Sequence, residues 1–399
     1  MNVLIADSLP QPYIDAVASL GVTVRYDPKL KADDLPDAIG DAGILVVRST
    51  VVNQACISKA SHLSLIIRAG AGVNNIDMKA ANARGIYVSN CPGKNSIAVA
   101  ELTMGLLLAL DRRIVDNVND LRVGKWNKNE YSKADGLYGK TIGIIGTGQI
   151  GKEVIARAHA FGLRVIAWSR SLRPEKAEAL NAAFAPSIEA LVPQCDIISI
   201  HLALKPETKQ IISRDIISRM RQGAILLNTS RWEVVDEEAL YEAAAAGRIR
   251  VGTDVFSGEP EDKSSPFTNK LGMLPNVYGT HHIGASTEQA QNAVAAEVVS
   301  IIKEYRDLGT VRNWVNRAKT TAAKWQLVVR HYDKPGVLAN VLEQLKSAHI
   351  NVQEIENVIF EGQQTACCTL RLDAEPAADV VTRIQNKYDE VIQASLVSL

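Results

Sequence analysis

The stretch Gly139–Phe161 reads GKTIGIIGTGQIGKEVIARAHAF. Thr141–Ile145 is a short β-branched apolar run, the composition of a buried strand. Gly146, Gly148 and Gly151 follow with G-x-G-x-x-G spacing, and Val154, Ile155, Ala158 and Phe161 then recur at helical intervals. Strand, glycine turn and helix in that order form a dinucleotide-binding fingerprint. The first glycine permits the tight turn, the second lets backbone approach a pyrophosphate, and the third lets the helix pack on the strand. Free N–H groups and the helix dipole favour phosphate at that end. Glycine-rich strand–helix turns also occur without a ligand, so the triplet has to be weighed with its surroundings.

Downstream, short apolar runs at Arg164–Trp168, Asp196–His201, Ala224–Asn228, Arg250–Asp254 and Asn276–Gly279 alternate with helical patterns such as Glu237–Ala246. Upstream, Val3–Ala6, Val22–Tyr26, Ile44–Val47, Leu65–Ile67 and Tyr87–Ser89 alternate with helices in the same way. Strand–helix alternation predicts parallel sheets covered on both faces. Ser96–Leu110, nearly all apolar, reads as a buried helix leading from the first domain into the second. Asp111–Tyr138 reads as a polar excursion over the surface. Ala285–Leu308 reads as a long amphipathic helix that returns the chain to the first domain. After a polar linker, Trp325 to the end has a βαββαβ pattern, which is ferredoxin-like. The expected fold class is therefore α/β, with two doubly wound parallel-sheet domains of Rossmann or flavodoxin type and a ferredoxin-like C-terminal module. The boundaries expected are 1–97 with 285–314 for a discontinuous substrate domain, 98–284 for the dinucleotide domain and 323–399 for the module.

A length of 399 residues suits two or three domains, and 47% hydrophobic residues are ample for their cores. Lys plus Arg and Asp plus Glu are 44 each, so no net charge draws the chain to nucleic acid or an anionic membrane. No signal-like start or membrane-length apolar run is present, which predicts a cytoplasmic protein. The five cysteines show no C-x-x-C and no metal-ligand spacing; free thiols and no metal site are expected.

Candidate chemistry gathers where strands end. Arg48-Ser49-Thr50 and the turn Arg68-Ala69-Gly70-Ala71-Gly72-Val73-Asn74 close two strands of the first domain. The exposed N–H groups of the glycine turn suit a carboxylate, although a plain tight turn has the same composition. Arg231, Glu259 and His282 follow later strands. Taken singly they read as a helix cap, a solvated turn acid and a loop histidine. Taken together, after a nucleotide fingerprint, they supply what hydride transfer at a 2-hydroxy acid needs. A cation binds the carboxylate and polarises the C2 oxygen, a base takes the hydroxyl proton, and a carboxylate orients the imidazole.

The motifs VRST at 47–50, RAGAGVNNID at 68–77, NCPGKNSIAVAELT at 90–103, GKW at 124–126, GTGQIG at 146–151, DVFSGEP at 254–260 and HIGAST at 282–287 resemble those of the D-2-hydroxyacid dehydrogenase family. The resemblance covers residues 1–318. GKW and the terminal module bring the chain nearest to the phosphoglycerate branch. It implies oxidation of 3-phosphoglycerate to 3-phosphohydroxypyruvate in L-serine biosynthesis, with Arg231, Glu259 and His282 as the catalytic trio. It implies cofactor contacts at Gly146, Gly148, Gln149, Ile150, Gly151, Ser169, Arg170, Thr229, Asp254 and Gly284, with Asp254 on the nicotinamide amide. Substrate contacts fall to Arg48, Arg68, Gly70, Ala71, Gly72, Asn74 and Lys128. The terminal module resembles an ACT domain, where related dehydrogenases bind L-serine between two subunits. By position, His331, Asp333 and Asn351 are the effector contacts; a module that only pairs subunits is the alternative. A homodimer or homotetramer is expected.

Three departures from the family pattern stand out. About 18 residues beyond Gly151, where an NAD enzyme carries an acid for the ribose 2′-hydroxyl, this chain has neutral Ser169 and positive Arg170. NAD is expected, with NADP possible. Trp232 and Glu233 follow Arg231 where glycine is usual, and His281 replaces a proline before His282. Two other readings stand beside the first. One is an NADPH-dependent hydroxypyruvate or glyoxylate reductase, suggested by Ser169 and Arg170. The other is a non-enzymatic nucleotide sensor, suggested by Trp232 alone.

Overall fold

The computed structural model describes residues 1–260, 264–387 and 389–399, and they form two compact units, 1–316 and 317–399. The first unit holds two parallel sheets. In the first sheet, β1 (Asn2–Ile5), β2 (Thr23–Tyr26), β3 (Ile44–Val47), β4 (Leu65–Arg68) and β5 (Tyr87–Asn90) stand in the order β2-β1-β3-β4-β5. That is the flavodoxin-like arrangement. Successive side chains of a strand point to opposite faces. Ile44 and Val46 of β3 therefore enter one core while Leu45 and Val47 enter another. A strand covered on both sides must be apolar throughout, which is why these segments read as unbroken hydrophobic runs.

The second sheet contains β6 (Thr141–Ile145), β7 (Arg164–Trp168), β8 (Ala183–Phe184), β9 (Ile197–Ile200), β10 (Ala224–Asn228), β11 (Ile249–Thr253) and β12 (Val277–Gly279). Their order is β12-β11-β10-β9-β6-β7-β8, so the direction of winding reverses between β6 and β9. Ligands of open α/β sheets bind at such a switch point, beyond the strand C-termini. The glycine turn after β6 sits there. β8 has two residues, too few to show an alternation; sequence reading does not find it.

Two long helices link the sheets. Helix Ser96–Arg112 sends Ala100, Met104, Leu107 and Leu110 into the core beneath Ile142 and Ile144 of the second sheet. Helix Glu288–Leu308 sends Val294, Val298, Ile301 and Ile302 into the core of the first, against Val3 and Ile5. Thr287 caps its start, accepting from the Ala290 N–H, and Gly309 ends it in the left-handed conformation. The segment after Arg112 runs over the surface as expected, though it is not polar throughout. It folds into helices Ile114–Arg122 and Lys128–Tyr131, and Ile114, Val115, Val118 and Leu121 of the first are exposed.

The second unit is an antiparallel sheet of β13 (Trp325–Tyr332), β14 (Val352–Ile359), β15 (Thr365–Leu372) and β16 (Val391–Ser398), ordered β14-β15-β13-β16. Helices Val337–Ser347 and Ala378–Asn386 cover one face through Val341, Leu345, Val380 and Ile384. Element order and sheet order are both ferredoxin-like, as expected. Among the described residues no helix is long and apolar enough to cross a membrane.

Candidate active site

A cleft of about 1310 Å³ in the first unit is lined by the strand ends of both sheets, among them Arg48, Arg68, Arg231, Glu259 and His282. Gly70, Gly72 and Asn74 also line it; Ala71 and Lys128 do not.

His282 Nδ1 lies 2.7 Å from Glu259 Oε2, and Glu259 Oε1 accepts the Phe256 N–H at 2.8 Å. Burial pushes the Glu259 carboxyl up, but the His282 and Phe256 hydrogen bonds and the nearby Arg231 charge outweigh it, leaving the pKa below its ordinary value. With Nδ1–H donating its hydrogen bond to the carboxylate, Nε2 keeps its lone pair for a substrate proton.

The loop carrying His282 is constrained. His282 has φ of 52°, a left-handed conformation that a residue with a Cβ rarely adopts unless its surroundings impose it. Asp254, only 2% exposed, imposes it. Its Oδ1 accepts the Thr280 hydroxyl at 2.5 Å and the Ile283 N–H at 2.9 Å, and its Oδ2 accepts the Gly284 N–H at 2.8 Å. The carboxylate expected to meet a nicotinamide amide also clamps both sides of His282. Sequence reading misses this, because the donors lie some 26 to 30 positions away.

Arg231 follows β10 in a loop set by Asn228, whose side-chain oxygen accepts the Ser230 N–H and hydroxyl and whose amide donates to the Arg231 carbonyl. The guanidinium reaches the opposite wall, where a Cβ on Gly72 would stand 2.6 Å from Arg231 Nη2. Arg68 closes over Gly70 in the same manner: with φ of 153°, a Cβ there would meet Arg68 Nη1 at 1.7 Å. The glycine turn thus makes room for two guanidiniums. Burial, then the charges of Arg231 and Arg48, push the Arg68 pKa down to about 10. Its Nε is buried without a hydrogen-bond partner. Among the described residues no carboxylate pairs with Arg48, Arg68 or Arg231. Three cations left unpaired in one cleft form a receptor for an anion.

Asp7, two residues beyond β1, was not singled out from sequence. It is 7% exposed, and its Oδ2 accepts the backbone N–H groups of Arg48, Ser49 and Thr50 at 2.6, 3.0 and 3.0 Å. The clue was available: a polar residue at the end of an apolar parallel strand.

The fingerprint fits a dinucleotide. Gly146 has φ of 103°, and a Cβ on it would lie 2.3 Å from the His201 carbonyl oxygen. A Cβ on Gly151 would lie 2.0 Å from the Gly146 carbonyl oxygen, whereas Gly148 faces open space. Gln149 and Ile150 begin helix Gln149–Ala160, whose first N–H groups are free for phosphate. The Ser169 hydroxyl pairs with that of Thr147 at 2.8 Å. Thr229 is buried and paired with Thr103 at 2.8 Å, and Gly284 packs against Asp254 and Val99. Trp232 is absent from the cleft lining, as His281 is not.

In the C-terminal unit the three expected effector contacts part company. Asp333 and Asn351 are exposed. His331 is 1% exposed, because the alternation of β13 turns it inward with Leu327 and Val329. Its Nδ1 lies 2.7 Å from the Tyr332 carbonyl oxygen, and Nε2 lies 3.2 Å from the Asn357 side-chain oxygen. In the single chain His331 is an interior residue and does not present itself to an effector.

Residues 104–284 match the NAD-binding domain of D-isomer-specific 2-hydroxyacid dehydrogenases. A D-3-phosphoglycerate dehydrogenase of Methanocaldococcus jannaschii is 38% identical over 365 residues, 91% of this chain and 68% of that protein. A hydroxypyruvate reductase of Thermotoga maritima is 42% identical over 282 residues, 70% of this chain and 89% of the relative. The solved structure of an NAD⁺-bound 3-phosphoglycerate dehydrogenase from Entamoeba histolytica superposes with a TM-score of 0.67 at 27% identity, covering 79% of this chain and 99% of its own. With this similarity along most of its length, the chain belongs to the D-isomer-specific 2-hydroxyacid dehydrogenases.

Proposed function

We propose that this chain oxidises 3-phosphoglycerate to 3-phosphohydroxypyruvate, with NAD as the hydride acceptor. The observation that carries the reading is the set of three guanidiniums, Arg48, Arg68 and Arg231, lining one cleft, with none of them paired to a carboxylate among the described residues. One cation suffices for a simple 2-hydroxy acid. A second anionic group of higher charge, a phosphate, accounts for the other two.

In this reading Arg231 and the Gly70–Gly72 backbone take the substrate carboxylate, and Arg48 and Arg68 take the phosphate. His282 Nε2 removes the C2 hydroxyl proton as hydride leaves C2, so a 2-hydroxy acid becomes a 2-oxo acid. Glu259 stabilises the imidazolium formed, and Arg231 stabilises charge on the C2 oxygen. The bound nicotinamide supplies the hydride acceptor. The pairing of β14 leaves one of its edges open, and the terminal module serves as a pairing and effector unit for a homodimer or homotetramer. Asp333 and Asn351 would meet L-serine there.

A second reading, reduction of unphosphorylated hydroxypyruvate or glyoxylate with NADPH, is favoured by neutral Ser169 beside Arg170. Steady-state assays of 3-phosphoglycerate against D-glycerate separate the two. The first reading expects kcat/KM to be higher by about two orders of magnitude for the phosphorylated acid, as charge-assisted contacts to a phosphate would give. Equal values for the two acids would overturn it.

A further inference from the structure

Arg170 and Glu207 stand on either side of the glycine turn. Arg170 lies two residues beyond β7, and Glu207 lies in the single 3-10 turn Pro206–Thr208 beyond β9. In the sheet β6 is flanked by β7 on one side and β9 on the other. Arg170 Nη1 and Glu207 Oε1 are 2.7 Å apart, so the pair spans the C-terminal edge over which the adenosine half of a dinucleotide lies. Arg170 is 71% and Glu207 49% exposed, which makes this an ion pair in water, weak and readily exchanged. Beneath it, the Thr147 and Ser169 hydroxyls satisfy one another and carry no charge.

We propose that Glu207 is a specificity-determining residue: it occupies Arg170 and competes with the 2′-phosphate of NADP for that guanidinium. A 2′-phosphate meets two obstacles here. It must take Arg170 from Glu207, and once bound it lies close to a second carboxylate. A 2′-hydroxyl meets neither. The chain therefore selects NAD although the position usually held by the ribose-binding acid is neutral. Negative charge is still supplied, from the loop beyond β9 instead of the end of β7. This inference concerns the nucleotide alone and does not depend on which acid is oxidised.

The test is titration calorimetry of AMP against 2′,5′-ADP, which differ only in the 2′-phosphate, and of NAD against NADP. Wild type, Glu207→Gln, Arg170→Ala and the double variant are compared; all change exposed side chains, and thermal melts verify folding. Wild type should bind AMP more tightly than 2′,5′-ADP. Glu207→Gln should tighten 2′,5′-ADP and NADP by about three- to fivefold, the scale of an exposed ion pair, and leave AMP and NAD within about twofold. In the Arg170→Ala background the same substitution should lose most of that gain, since Arg170 is what it releases. Tighter binding of 2′,5′-ADP than of AMP by wild type, equal changes for both ligands, or an undiminished gain without Arg170 would overturn the proposal.

Discussion

The imidazole of His282 and the carboxylate of Glu259 are joined at 2.7 Å across 23 positions of sequence, with the second carboxylate oxygen tied to the Phe256 N–H. The pairing leaves one ring nitrogen available and fixes where it points.

Replacing Glu259 by Gln tests this pairing. Activity should fall by about two orders of magnitude, the range attributed to positioned general base catalysis. The substitution also has a stability signature. The folded-state pKa of Glu259 lies below its unfolded value, so the carboxylate contributes stability that is present above the unfolded pKa. That contribution is lost as pH falls through the folded pKa. Denaturant melts at several pH values should show wild type ahead of the variant at neutral pH, with the gap closing below about pH 4.

Gly72→Ala should displace Arg231, the group proposed to polarise the C2 oxygen, without touching it chemically. Gly72 does not have a positive φ, so alanine is tolerated by the backbone, but its Cβ would crowd Arg231 Nη2 at 2.6 Å. A shift of that guanidinium should lower kcat/KM about tenfold or more while the thermal midpoint changes little. Unchanged kinetics would mean that Arg231 works elsewhere.

Arg68 sets stability against binding. Burial and two neighbouring cations push its pKa down to about 10, so the ligand-free fold carries an unrelieved charge. Arg68→Met should raise the melting temperature of the ligand-free protein by a few degrees, roughly 1 kcal/mol of relief. The same change should weaken the phosphorylated substrate by about two orders of magnitude. Phosphate should stabilise wild type against heat and leave the variant unmoved.

Asp7 holds the loop that carries Arg48. Asp7→Ala leaves three part-buried N–H groups without their acceptor, at a cost of about 1 kcal/mol or more. KM for 3-phosphoglycerate should rise more than kcat falls. Added formate, a small carboxylate able to refill the amide nest, should partly restore both stability and KM. Failure of formate to move either would point to a different cause.

Much was legible from sequence because it is local. An apolar run such as Ile44–Val47 announces a strand buried on both faces, and the spacing of Gly146, Gly148 and Gly151 dictates a turn in which a Cβ on the first or third would collide with backbone. The positions of Arg231, Glu259 and His282 just past strands could be read in the same way, since parallel strands deliver their C-terminal ends to one edge. What the tertiary structure alone decided are partnerships between residues far apart in the chain. Asp7 meets the amides of Arg48 to Thr50, Asp254 meets Thr280 to Gly284, and Arg170 meets Glu207. Nothing in a linear pattern tells a carboxylate which donors it will face. That choice is made when sheets pack and bring loops together, and the same packing drew His331 into the interior of the terminal sheet.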